Sequence, residues 1–234
     1  MKKEIAILMA AGKGERMRPI TESIPKPLVK VNGVSMIETV IKALEYRGIK
    51  DIYVVVGYLA DKFVDLKETY PYIHFVENKE YTIKNNISSI YAVKDILGTA
   101  NCFICEADLV ISDSSILDRD FNESGYYGKF VEGHSDDWVM DLKDGYITRI
   151  GKYGDNAYNL TGICYLTKND SQIVKDKIEE AYKHKGHENL FWDEIVNQNL
   201  DKLKMIPYPV SSEKIIEIDS VKELQEIDSS YNNF

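Results

Sequence analysis

Residues Ile5 to Ala11 form an unbroken apolar run that opens directly onto Gly12-Lys13-Gly14. A short, uniformly apolar run closed by glycines is the pattern of a strand buried on both faces, as in parallel sheets covered by helices. The following sequence supplies the crossovers such a sheet needs. Ser35-Met-Ile-Glu38 is a capping box opening an amphipathic helix, which Gly48 ends, and Asp51 to Val56 is a second apolar, β-branched run. Helix, strand and helix alternate through residues 59–69, 73–77 and 86–96 before a strand at 101–106. The alternation predicts an α/β fold, Rossmann-like, with a mostly parallel (mixed) sheet and helices on both faces.

After Asp108 the pattern changes. Strand-like segments near 126–132, 137–142, 146–150 and 158–166 predict a small antiparallel extension. Helices are expected over about 170–184 and 188–200, then a strand pair near 204–217, and Ser220-Val-Lys-Glu223 is a second capping box starting a last helix. With no internal repeat and no low-complexity linker, we expect residues 1–234 to form one domain.

Composition excludes several classes. No apolar run approaches the roughly 20 residues that span a bilayer. Lys2 and Lys3 before the first run mimic a signal peptide, but Glu4 interrupts the basic segment, and Lys13, Arg16 and Arg18 stand where small cleavage-site residues belong. We expect a cytoplasmic protein with no membrane insertion. Three cysteines fit a reducing compartment. Cys102 and Cys105 form a CxxC on a predicted strand, where side chains three apart face opposite ways, so they read as core residues. His184 and His187 read as part of a solvated turn. The net charge of −9 argues against a nucleic-acid surface, yet residues 1–30 hold seven basic residues against three acidic ones. A basic loop on an acidic protein suits a small polyanion.

That loop runs Leu8-Met-Ala-Ala-Gly-Lys-Gly-Glu-Arg-Met-Arg-Pro-Ile-Thr-Glu-Ser-Ile-Pro-Lys-Pro-Leu28. A glycine turn after a buried strand lets backbone N–H groups approach phosphate oxygens. A dinucleotide fingerprint fails because Met17 replaces its third glycine, and a Walker A loop fails because Gly14 follows Gly12-Lys13. Pro19 discourages a direct helix, leaving an extended flap that carries Arg16 and Arg18. Pro25 and Pro27 flank Lys26, so its ammonium is expected on a stiff, extended backbone.

The segment resembles the LxAGxGxRMxPxTxxxPKxL motif of the nucleoside-triphosphate-dependent nucleotidyltransferases of the sugar-phosphate and choline-phosphate class. Leu8, Ala11, Gly12, Gly14, Arg16, Met17, Pro19, Thr21, Pro25, Lys26 and Leu28 fall in register. The resemblance implies the GT-A-like nucleotidyltransferase fold, with Leu8, Ala10, Ala11, Gly12 and Gly14 at the nucleotide and Arg16 and Lys26 as catalytic cations on its phosphates. It further implies a nucleotide-binding part over about 1–110 plus 204–234 and an acceptor-binding lobe over about 111–203.

Nucleotidyl transfer relies on positioning and charge, with Mg²⁺ held by carboxylates and phosphates. Asp108 and Asp219 each end a predicted strand, where open α/β sheets place ligands. A competing reading makes Asp219 only a helix-capping residue; the resemblance makes both aspartates Mg²⁺ ligands, with Glu217 on the same strand face in support.

Further pieces in order along the chain resemble the bacterial phosphocholine cytidylyltransferases: Val56-Gly57-Tyr-Leu59, Asn85-Asn86-Ile-Ser-Ser89, Glu106-Ala-Asp108, Asp137-Trp138, Leu190-Phe-Trp-Asp193 and Glu217-Ile-Asp219-Ser220. By that resemblance Asn86 and Ser89 lie near the cytosine of CTP, although polar caps at a helix N-terminus explain them nearly as well. An aromatic cage with adjacent acid recognises a trimethylammonium. Trp138 and Trp192 each stand beside acid, and Phe191, Tyr165 and Asp193 complete the expected acceptor site; Trp192 also reads as core. Tyr165 stands where a larger aromatic is expected in the choline enzymes, which leaves the amine open. The implied reaction is CTP plus phosphocholine giving CDP-choline and pyrophosphate. Alternatives are 2-aminoethylphosphonate, phosphoethanolamine or a sugar 1-phosphate as acceptor, a non-catalytic nucleotide-sensing subunit, or a glycosyltransferase with a similar domain.

Overall fold

In the computed structural model, which describes residues 3–232, the first apolar run becomes strand β1 (Glu4–Ala10). The chain continues through a hairpin of β2 (Lys30–Val31) and β3 (Val34–Ser35), then α1 (Met36–Tyr46), β4 (Ile52–Val56), α2 (Val64–Thr69), β5 (Ile73–Glu77), α3 (Ile87–Ala92), β6 (Asn101–Glu106) and β7 (Leu109–Ile111). There follow β8 (Gly125–Lys143), β9 (Tyr146–Leu166), α4 (Lys168–Ala181), α5 (Trp192–Asn197), β10 (Ile206–Pro209), β11 (Ile215–Glu217) and α6 (Val221–Ile227).

Seven strands form one sheet in the order β10-β8-β9-β6-β1-β4-β5. β1 pairs in parallel with β4 and β6, and β4 with β5, while β9 runs antiparallel to both β6 and β8. This is the mixed, mostly parallel-cored α/β sheet expected from the alternation. Its central strands β1, β4 and β6 are apolar on both faces because each face is covered there. One face packs against α1, whose capping box is formed by Ser35 and Glu38 and whose Ile37, Val40, Ile41 and Leu44 are buried. The other face packs against α3, α4 and α5. Cys102 and Cys105 fall in opposite cores, as side chains three apart on β6 must.

Four expected short strands are in fact two long ones. β8 and β9 form a single hairpin turned at Asp144-Gly145, both with positive φ (52° and 83°). The stretches around 132–137 and 151–156 are largely exposed, so the hydrophobic alternation fades there while the ladder continues. The final strands do not pair with each other: β10 joins β8, and β11 joins β7 in a separate two-stranded sheet. The helices expected over 59–69, 86–96 and 188–200 are shorter than their periodic patterns, giving α2, α3 and α5. His187 is not solvated, because its ring packs on Tyr182 at 4.4 Å and Tyr182 stacks on Tyr91. Among the described residues, no helix is long and apolar enough to cross a membrane.

Candidate active site

The strand pairing β7/β11 is what brings the two ends of the chain together. Its register sets Ile215 opposite Ile111 and Glu217 opposite Leu109, so Asp108 and Asp219 emerge side by side just past the paired residues. Asp219 does not cap α6. Ser220 Oγ accepts from Glu223 N (3.2 Å), and Glu223 Oε2 accepts from the Asp219 and Ser220 backbone N–H groups. The capping box satisfies the helix end, which leaves the Asp219 carboxylate free to point elsewhere.

It points at Lys26. Lys26 Nζ lies 2.6 Å from Asp219 Oδ1 and 2.6 Å from Asp108 Oδ2, with its side chain only 9% exposed. Arg16 Nη2 adds a third contact, 2.8 Å from Asp219 Oδ2. Burial works to lower the Lys26 pKa, but Asp108 and Asp219 outweigh it and leave the ammonium well above the usual lysine range, so it is charged at every physiological pH.

Lys26 reaches this position through glycine. Gly14 has φ +61°, and a Cβ there would sit 2.8 Å from Lys26 Cβ and 3.1 Å from Thr21 Cγ2. Thr21 Oγ1 donates to Gly14 O (2.8 Å), tying the two halves of the loop. Met17 and Ile20 anchor the loop in a third apolar cluster with Ile218 and Leu224 from the C-terminal segment. Burying Met17 alone contributes about 1.5–3 kcal/mol. Gly12 differs: a Cβ there meets nothing within 4 Å. The protein itself does not require that glycine, and the space in front of it belongs to a cavity of about 700 Å³.

That cavity gathers Ala10, Ala11, Gly12, Gly14, Arg16, Lys26, Asn86, Ser89, Asp108, Glu217 and Asp219. A second cavity of about 610 Å³ shares Arg16, Asn86, Glu106, Phe191, Glu217 and Asp219 with it and extends to Trp138, Trp192 and Asp193. Asn86 ties the two: its Oδ1 accepts from Trp192 N at 2.9 Å. Ser89 is held from below by Asn78 Nδ2 (3.2 Å). In the second cavity the Trp138 and Phe191 rings lie 5.3 Å apart at 60°, and Trp192 is 2% exposed and stacked on Tyr126. Tyr126 OH donates to Asp193 Oδ1 (2.9 Å), and burial pushes the Asp193 pKa up to about 7.

Two expected residues lie elsewhere. Leu8 alternates away from the cavity into the core beneath α1, because its neighbour Met9 takes the cavity side of β1. Tyr165 likewise faces the opposite core, against Phe103 and Phe121, while the adjacent Cys164 lines the second cavity. Lys26 is also not on an extended backbone. It opens a 3-10 turn (Lys26–Leu28), and Pro27 is tolerated because a first-turn N–H needs no partner. The flap carrying Arg16 is likewise a 3-10 turn, Glu15–Met17.

Glu106, from the Glu106-Ala-Asp108 piece, also lines the wall, and other groups there carry no sequence motif: Tyr126, Lys129, Asp136, Lys152 and Asn159. Asn159 Nδ2 donates to Asp137 Oδ2 (3.0 Å) and fixes that carboxylate beside Trp138, while Asn159 Oδ1 is buried with no hydrogen-bond partner among the described residues. Only the β8/β9 pairing reveals these neighbours, since Asn159 sits opposite both Lys129 and Val139.

The chain matches the Nucleotidyl transferase family over residues 5–137. It is 50% identical over 97% of its length to a 2-aminoethylphosphonate cytidylyltransferase of Lancefieldella rimae, covering 92% of that protein. It is 32% identical to a choline-phosphate cytidylyltransferase of Streptococcus pneumoniae, over 97% of this chain and 98% of that one. A solved CTP:phosphocholine cytidylyltransferase from Streptococcus pneumoniae superposes with a TM-score of 0.89 at 30% identity, over 98% of this chain and 99% of that one.

Proposed function

The chain belongs to the nucleotidyl transferase family, and we propose that it transfers CMP from CTP to 2-aminoethylphosphonate, releasing pyrophosphate. The observation that carries the transfer chemistry is Lys26, a buried ammonium clamped between Asp108 and Asp219 at the floor of the glycine-loop cavity. A fixed charge in a partly desolvated site stabilises developing negative charge without reorganising during the reaction.

An acceptor phosphonate oxygen attacks the α-phosphorus of CTP in line; the bond from that phosphorus to the bridging oxygen breaks, and pyrophosphate leaves with the electron pair. Phosphonates, like phosphate monoesters with a second pKa of about 6, are largely dianionic at neutral pH, so no protein base is required. Arg16 sits beside Asp219 at the exposed lip, where it meets the leaving phosphates.

The donor set fits Mg²⁺. Asp108 and Asp219 offer oxygen ligands converging on one cation, and Glu217, whose pKa burial and those two carboxylates push up to about 7, lines the same cavity. Among the described residues, no three His, Cys, Asp or Glu side chains form a cage of their own. Such a site suits an ion held by one or two carboxylates and by substrate phosphates. Bound there, Mg²⁺ would offset charge on the triphosphate.

The second cavity favours a primary ammonium. A trimethylammonium has no N–H and is held by ring faces. Of four expected rings, Tyr165 lies across the sheet and Trp192 is buried on Tyr126, leaving Trp138 and Phe191. Acceptors are plentiful instead: Asp137 fixed by Asn159, Asp193 fixed by Tyr126, and Glu106. Phosphocholine is the second reading, favoured by the tilted Trp138–Phe191 pair. A pyrophosphate-release screen of CTP, UTP, dTTP, ATP and GTP against aminoethylphosphonate, phosphocholine, phosphoethanolamine and glucose 1-phosphate tests the reading. The highest kcat/KM is expected for CTP with aminoethylphosphonate; preference for glucose 1-phosphate would overturn it.

A further inference from the structure

The second cavity is rich in carboxylates, including Glu106, Asp137, Asp193 and Glu217, yet its acceptor carries a dianion. Something must hold the anionic end, and the cations described so far are engaged: Lys26 by Asp108 and Asp219, Arg16 by Asp219. Lys129 is different. It is half-buried on β8, lines this cavity and, among the described residues, forms neither an ion pair nor a hydrogen bond. Among the described residues, the charge that acts on it is Glu217, at the wall shared with the nucleotide cavity. Lys152, also at the wall, is exposed. A half-buried ammonium with no ion-pair or hydrogen-bond partner is costly until an anion completes it.

Resting on the acceptor reading above, we propose that Lys129 is a specificity-determining residue whose ammonium takes the phosphonate oxygens of the acceptor. Register supports this placement. Lys129 stands opposite Asn159, and Asn159 holds Asp137 by its amide. Directly opposed residues have Cβ atoms roughly 5 Å apart. The hairpin therefore sets a cation for the phosphonate opposite the residue whose amide holds a carboxylate for the amine, an arrangement suited to a zwitterion with an anionic and a cationic end. Lys129 shares this cavity with Glu217, which also lines the nucleotide cavity, so a phosphonate held by Lys129 would face the nucleotide phosphates and the amine would face away.

Steady-state kinetics of the intact chain test this, with Lys129→Met keeping the aliphatic stem and Lys129→Arg keeping the charge. Lys129→Met is expected to raise the KM for aminoethylphosphonate on the order of 10- to 100-fold, with the CTP KM and the melting temperature unchanged; Lys129→Arg recovers much of the loss. Calorimetry with ethylphosphonate, which lacks the amine, should show binding to wild type and none to Lys129→Met. An unchanged acceptor KM, or an equal rise in the CTP KM, would overturn the assignment. Should wild type prefer phosphocholine, the acceptor reading fails while the same comparison on phosphocholine still decides Lys129. Should neither amine be used, ethylphosphonate binding equally well, or not at all, to both proteins overturns it.

Discussion

Lys26 Nζ lies 2.6 Å from Asp219 Oδ1, joining residues 193 positions apart. The contact closes the C-terminal segment onto the N-terminal loop and shares its ammonium with Asp108 at the same distance. Lys26→Met should therefore act twice. Turnover is expected to fall about 10²- to 10³-fold, and the melting temperature should drop, because Asp108 and Asp219 are left facing each other at a cost of about 1–3 kcal/mol. Lys26→Arg should restore little of the turnover, since a planar fork cannot replace a point charge touching both carboxylates. Pyrophosphate release and thermal unfolding read the two effects separately.

The two loop glycines should part company. Gly14→Ala places a Cβ 2.8 Å from Lys26 Cβ at a φ of +61°, so it should lower stability by about 1–3 kcal/mol and turnover with it. Gly12→Ala points into open cavity. It should melt like wild type yet raise the CTP KM. Equal melting temperatures for both variants would contradict this account of the loop.

Asn86 borders both cavities and accepts from Trp192 N. Asn86→Ala should raise the KM for CTP and for the acceptor together, about 10-fold each. An effect confined to CTP would show that the link to Trp192 is only structural.

Asp193 sets a pH dependence of stability. Its folded pKa, raised by burial to about 7, exceeds the roughly 3.9 of an unfolded chain. Between those values the folded state binds the extra proton, so this group's contribution to stability falls as pH rises from about 4 to about 7 and then levels off. Asp193→Asn, which stays neutral, should gain on wild type between pH 5 and pH 8, by no more than about 4 kcal/mol. Thermal unfolding at the two pH values checks the sign.

Much of this was legible in the sequence because it is local. The apolar run into Gly12, the capping boxes at Ser35 and Ser220, and the opposed faces of Cys102 and Cys105 depend on near neighbours, and each appears where expected. What failed depends on pairing. Tyr165 and Leu8 sit beside residues that do face the cavities, so one step of strand alternation moves each to the other core. The 132–137 and 151–156 stretches looked like breaks because exposed ladders carry no apolar signal. Lys129 and Asn159 belong to no motif; they become neighbours only through the β8/β9 register.

Joining of CMP to an amine-bearing phosphonate is tested most directly by phosphorus NMR of the reaction with CTP, Mg²⁺ and 2-aminoethylphosphonate. We predict that the phosphonate signal is replaced, mole for mole with pyrophosphate, by a coupled pair of signals from a phosphonate–phosphate anhydride. An unchanged phosphonate signal, with CTP either intact or hydrolysed to CMP, would contradict it.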